Sequence, residues 1–186
     1  MSNEATGANA RSTGADAGPL GYLALGLTLL AYGLLATGIF SGAGVKDAAS
    51  LAHLVGGLVL FIAGLWQLRG GEAFTGIAFT SLGAFWATWS AAGGAGKNAA
   101  GLFLLLWALL ALTLTAASWQ SGLFSRAVYG LLTVSLLLSA FATFGSNDGL
   151  AKVAGWVAAA SGLVAWYWAT ATLTNSGWGR AALPVK

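Results

Sequence analysis

Ala99–Ser118 reads AAGLFLLLWALLALTLTAAS, twenty residues without one charge. A helix of that length rises about 30 Å, the thickness of a bilayer's hydrocarbon core. In lipid every backbone N–H and C=O must find its partner inside the protein, and a helix does so within one segment. The stretch therefore reads as a membrane-spanning helix. The text on either side is of the same kind. From Gly18 to Leu173 the chain is almost continuously apolar, broken about every 25 residues by a short gap holding one or two charges.

Composition agrees with that reading. Charged residues make up 7% of the 186 and hydrophobic ones 58%, and the mean hydropathy is +0.79. A soluble domain carries about 25% charged residues. Six spans of roughly 20 residues use most of the length and leave no room for a soluble catalytic domain. The lack of cysteine excludes disulfides and thiolate metal sites. The net charge of +3 comes from 8 basic and 5 acidic residues, scattered singly. Nucleic-acid binding needs clustered cations, so no nucleic-acid partner is expected.

The expected fold is an all-α polytopic membrane protein with six up-and-down transmembrane helices. The spans run Pro19–Phe40, Ala48–Leu68, Phe74–Ala92, Ala99–Ser118, Phe124–Phe144 and Leu150–Leu173. Pro19 suits a first helical turn, where its missing N–H had no partner anyway. The links are short and rich in turn formers: Ser41–Gly44, Arg69–Glu72, Gly93–Gly96 and Ser146–Gly149. Short links force neighbouring spans to run antiparallel. One side then holds Arg11, Arg69, Arg126, Arg180 and Lys186, and the other Lys46, Lys97 and Lys152. Five against three places both termini in the cytoplasm. Residues 1–17 are polar and small, without the order of a secretory signal, and read as a flexible cytoplasmic tail. Residues 18–174 form the membrane domain and 175–186 a cytoplasmic C-terminal segment.

Several span ends carry aromatics, such as Phe40, Trp66, Trp89, Trp119 and Phe144, as interfacial belts do. Small residues recur at helical spacing: Gly155, Ala158, Gly162, Ala165 and Ala169 in the sixth span, and Gly56, Gly57, Ala63 and Gly64 in the second. Such stripes let helix backbones approach closely.

Catalytic groups are scarce. No acidic or basic residue lies well inside a span, which argues against a carboxylate proton relay. No Ser–His–Asp set or His–Glu metal pair is available. His53, the single histidine, reads as an interfacial residue near a span end. Gly93–Lys97 has the glycines of a phosphate loop, but Ala91 and Asn98 stand where Gly and Ser or Thr are needed. Inside the spans there remain hydroxyls among aliphatics. Thr28 and Tyr32 share a face with Leu25; Ser81 and Thr88 lie beside Leu82 and Phe85; Ser139 and Thr143 share a face with Leu132 and Leu136. Two readings stay open: a narrow path for a small, weakly polar solute or mono-anion, or hydroxyls bonded back to their own helices.

Four segments carry a further pattern. Gly18-Pro19-Leu20-Gly21-Tyr22 resembles N-P-A-P-L-G-L of the acetate uptake transporter family, the YaaH-type acetate and succinate permeases. Gly71–Trp86, GEAFTGIAFTSLGAFW, resembles the family's G-N-T-F-x-x-T-A-F-T-S-Y-G-S-F-W. Ala154-Gly155-Trp156 resembles its A-G-W, and Asn175-x-x-Trp178-Gly179-Arg180-x-x-Leu183-Pro184 its N-x-x-F-G-R-x-x-L-P.

The resemblance implies a homo-oligomer, a hexamer, with one pore per protomer for acetate or a related small monocarboxylate, and no cofactor. The family's Phe, Tyr and Leu constriction falls at Leu25, Leu82 and Leu132, wholly aliphatic here. Pro19, Leu20, Gly21 and Tyr22 would form a vestibule, and Thr28, Ser81, Phe85, Thr88, Leu136 and Ser139 would line the path. The signature Asn falls at Asp16, whose carboxylate would repel an anion where Asn would donate to it. The polar Gln and Glu of the second span fall at Leu60 and Gln67. The alternatives are another small solute in the same fold, or a non-transporting structural or signalling oligomer.

Overall fold

The computed structural model describes residues 16–42, 44–91 and 95–185, and all their regular structure is helical. Most of the expected tail, residues 1–15, and the link residues 92–94 lie outside the described residues. The first span is α1, Gly18–Ala36. The second is α2, Val45–Ala52, which continues through a π-helical stretch, His53–Val59, into α3, Leu60–Arg69. The others are α4 (Ala73–Ala91), α5 (Lys97–Ala117), α6 (Leu123–Gly145) and α7 (Asp148–Trp178). A 3₁₀ turn at Ser118–Gln120 closes α5. Five spans are long and apolar enough to cross a membrane. The other, α4, has 19 residues, and its three threonines, two serines and two tryptophans lower its hydropathy.

Two boundaries differ from expectation by more than three residues. The first helix stops at Ala36, four residues short of Phe40, because the Thr37 hydroxyl donates to the Leu34 carbonyl at 2.6 Å and Gly38 turns with φ +75°. The last runs to Trp178, five residues past Leu173. At about 1.5 Å per residue its 31 residues reach about 46 Å, longer than a hydrocarbon core. It ends where Gly179 adopts φ 62°, a left-handed conformation that glycine enters without strain. Beyond it Asn175 clasps the returning chain. Its side-chain oxygen accepts from the Ala182 and Leu183 N–H groups at 2.8 and 2.9 Å, and its amide donates to the Leu183 carbonyl at 2.8 Å.

The six spans close into a ring in the order α1, α7, α6, α5, α4, α2–α3 and back to α1. Small residues make its tightest seams. A Cβ on Gly33 would stand 2.5 Å from the Gly155 carbonyl oxygen, and one on Gly162 would stand 2.7 Å from that of Gly26. The stripe Gly155, Ala158, Gly162, Ala165 and Ala169 is buried as a whole. Gly83 meets Phe61 in the same way across α3 and α4. Hydroxyls join the α6–α7 seam: Ser161 donates to the Val128 carbonyl at 2.8 Å and Ser135 to that of Ala154 at 2.9 Å. Between α4 and α5 the rings of Phe85, Trp89, Phe103 and Trp107 interleave instead. Leucines dominate the outward face of α5, where Leu102, Leu106, Leu109 and Leu112 are about half exposed, as a lipid-facing helix requires.

Candidate functional site

In an up-and-down ring the alternate helices run parallel. Here these are α1, α4 and α6. Among the described residues no Cα of α6 comes within 8 Å of a Cα of α1 or α4. The α6 backbone stands apart from both, while α1 and α4 approach one another, and side chains reach across the space between α6 and that pair.

Those side chains form layers. Leu25, Leu82 and Leu132 are at most 2% exposed, one from each helix, in one buried apolar cluster. Three residues earlier on each helix come Tyr22, Phe79 and Tyr129, also at most 2% exposed. Tyr22 packs edge-on against Phe79 with centroids 5.0 Å apart. The Tyr129 hydroxyl donates to the Tyr22 hydroxyl at 3.5 Å, and Tyr22 also pairs with the Ser125 hydroxyl at 3.2 Å. Residues at one depth on three parallel helices thus touch across the axis, which puts the leucines in register one step of three residues, about 4.5 Å, further along. On the far side Phe85 and Leu136 are buried, with Trp86 packed between Tyr32 and Phe85.

The other sequence candidates scatter. Pro19 and Gly21 are buried at the start of α1, and a side chain on Gly21 would strike the Phe79 ring. Leu20 is half exposed on the outer face, where it lines a groove of about 360 Å³ with Asp16, Ile62 and Trp66. Thr88 is exposed and donates to the Ala84 carbonyl at 2.8 Å. Ser81 is half-buried and donates to its own helix at Ile77, 2.6 Å away. Ser139 is buried. Thr28 is buried too, yet its hydroxyl has no partner among the described residues; it faces Gly56 of the π-helical stretch, where a wider turn brings a backbone without a side chain against it. His53 is exposed.

At the ring's mouth Asp16 accepts from the Gly18 N–H at 2.8 Å and from the Gln67 amide at 2.9 Å. The carboxylate that replaces the signature amide thereby occupies Gln67 as a donor. Sequence reading passed over Phe79, Ser125 and Tyr129. For the two rings the signal was the spacing: Phe79 and Tyr129 each lie three residues before a leucine already singled out, whereas Ser125 carries no such mark.

A six-helix ring filled along its axis by side chains from three alternate helices can be compared with known proteins. The model of the GPR1/FUN34/yaaH family matches residues 3–180. The chain belongs to this family. One relative, the succinate-acetate/proton symporter SatP of Escherichia coli, is 28% identical over 180 residues, covering 92% of this chain and 95% of that one. The glyoxylate pathway regulator of Yarrowia lipolytica is 30% identical, over 86% of this chain and 64% of its own. Ammonia transport outward protein 2 of Saccharomyces cerevisiae is 32% identical, over 62% and 46%. Among solved structures, the bacterial acetate channel SatP superposes with a TM-score of 0.87 at 27% identity, over 94% of this chain and all of that one. This chain is accordingly a multi-pass membrane protein of the same architecture.

Proposed function

We propose that this protein is a transporter or channel for acetate or a related small monocarboxylate, not an enzyme, with one path through each protomer. The observation that carries the reading is the gap that separates α6 from α1 and α4, filled by buried side chains, in a ring that superposes on an acetate channel. The path runs from Asp16 and Pro19, past Tyr22, through Leu25, Leu82 and Leu132, and on past Thr28, Phe85, Leu136 and Ser139. Every layer is buried, so the conformation is closed, and side-chain rotation is the smallest motion that opens it. Leu20, Ser81 and Thr88 fit this path least, since their side chains face outward or spend their hydroxyls on their own helix.

Moving a bare carboxylate through aliphatic and aromatic layers costs several kcal/mol of desolvation. Passage as the neutral acid, or together with a proton, avoids that cost. We place the protomers in a homo-oligomer in the plasma membrane, with both termini in the cytoplasm, residues 1–17 as a tail and 175–186 as a C-terminal segment. The exposed apolar outer faces supply surface for such packing, and the excess of basic residues at the terminal end supports the orientation.

Uptake of labelled acetate into proteoliposomes tests the transport reading, with Leu82→Trp as the blocked control. Saturable uptake, competed by other carboxylates and lost in the Trp variant, is the expected result. Uptake no faster than in empty liposomes refutes acetate as the solute. The name of the yeast relative makes ammonia the next solute to try.

A further inference from the structure

We infer that the hydroxyls of Tyr22, Ser125 and Tyr129 form a carboxyl-binding gate, one step of three residues to the terminal side of the leucine layer. This rests on the transport reading above and names where along the path the solute's polar end is held.

The three hydroxyls converge although their helices do not. Tyr22 comes from α1, Ser125 and Tyr129 from α6, and no Cα pair from these helices lies within 8 Å. All three residues are buried, at 2%, 8% and 0% exposure. Their mutual bonds measure 3.2 and 3.5 Å, long beside the roughly 2.7–2.8 Å usual for hydroxyl pairs. They therefore satisfy one another loosely. Each hydroxyl has a proton to give and no acceptor stronger than another hydroxyl.

Ser125 and Thr133 stand on the same helix as contrasting cases. Thr133 donates to the Tyr129 carbonyl at 2.8 Å, a good bond to its own helix, whereas Ser125 turns to Tyr22 across the axis. Around the three hydroxyls stand rings. Phe79 and Trp168 flank Tyr22, with centroids at 5.0 and 4.4 Å, and Phe74 meets Tyr129 edge-on at 5.6 Å. A polar centre walled by aromatic rings matches a molecule with one carboxyl group and a short apolar tail. The carboxyl oxygens accept from the phenols, and the methyl group lies on the rings and then on the leucines. A charged donor is absent from this layer, so the acid form is held without an ion pair.

Leu25, Leu82 and Leu132, three residues further along each helix and at most 2% exposed, then act as the apolar plug behind the gate.

The test uses purified full-length protein, with Tyr22→Phe, Tyr129→Phe and Ser125→Ala, and acetate as the probe. Binding is read as the acetate-dependent rise in melting temperature in detergent, and transport as labelled uptake into proteoliposomes. Each variant loses one oxygen, and melts without acetate show directly that it folds. Should a Phe variant fail to fold, Ser125→Ala carries the test. The expected result is a half-saturating acetate concentration about tenfold higher in each Tyr→Phe variant, the size of one lost hydrogen bond. Half-saturation unchanged in all three variants overturns the gate and leaves the transport reading standing. Tyrosine-dependent binding without uptake in wild type keeps the site and overturns transport. Neither binding nor uptake overturns both.

Discussion

At the scale of single residues, hydroxyl partners decide what a polar side chain does inside an apolar ring. The threonine at position 28 is buried with an unpartnered hydroxyl. A buried donor with no acceptor costs about 1–3 kcal/mol. Thr28→Val keeps the shape and removes that cost, so the melting temperature of the purified protein should rise by the equivalent of about 1 kcal/mol. A fall instead would show that the hydroxyl is satisfied in the membrane. Asn175 is the opposite case, with three bonds to the chain beyond Gly179. Asn175→Ala should free that segment at a cost of about 1–3 kcal/mol. Amide exchange at Ala182 and Leu183 reads this directly, and both should lose protection. The presence of Asn175 in a recognisable closing motif was plain in the sequence, while its threefold clasp required the chain to turn back. Asp16 shows the limit of reading by residue type. As an isolated carboxylate it repels an anion, but in place it is the acceptor for Gln67.

At the scale of helices, glycine spacing writes the seams. Gly26 and Gly33 on α1 face Gly162 and Gly155 on α7, each seven residues apart, at separations too short for a side chain. Lipid supplies no hydrophobic drive between spans, so close backbone approach is what joins them. Gly162→Leu should therefore destabilise the fold by about 1–3 kcal/mol or more, seen as a lower melting temperature in detergent. An unchanged melt would mean that α1 and α7 do not meet at this point. The small-residue stripes were legible in the sequence because helical period alone reveals them. The π-helical stretch at His53–Val59 was not, since Gly56-Gly57 permits but does not require a wider turn. The lengths of α1 and α7 also escaped, being set by a Thr37 hydroxyl and a left-handed Gly179 rather than by hydropathy.

At the scale of the whole molecule, the proposed route meets a carboxylate at its mouth, Asp16, and its named layers from Tyr22 to Leu136 are aromatic, aliphatic or hydroxyl-bearing. A path that passes the neutral acid has a direct signature. At fixed total acetate, uptake should fall about tenfold for each pH unit above the acid's pKa, following the protonated fraction. A rate that tracks total acetate across the same range would show passage of the anion. Leu82→Trp adds bulk where Leu25 and Leu132 already meet the axis, so uptake should drop to the level of empty liposomes. That experiment is informative only while the variant's melt stays close to wild type.

The amino-acid sequence by itself determined that this is a six-span membrane protein, which family motifs it carries and which stripes pack. These follow from local properties: the length of apolar runs, the placing of charges and the period of glycines. Only the tertiary structure decided which helices face the axis, and hence that Thr88 and Leu20 look outward while Phe79, Ser125 and Tyr129 look inward. A helix in lipid is apolar on every side, so hydropathy cannot mark its inner face. That face is chosen by which neighbours the helix finds, and those contacts join residues about a hundred positions apart, as Tyr22 and Ser125 do.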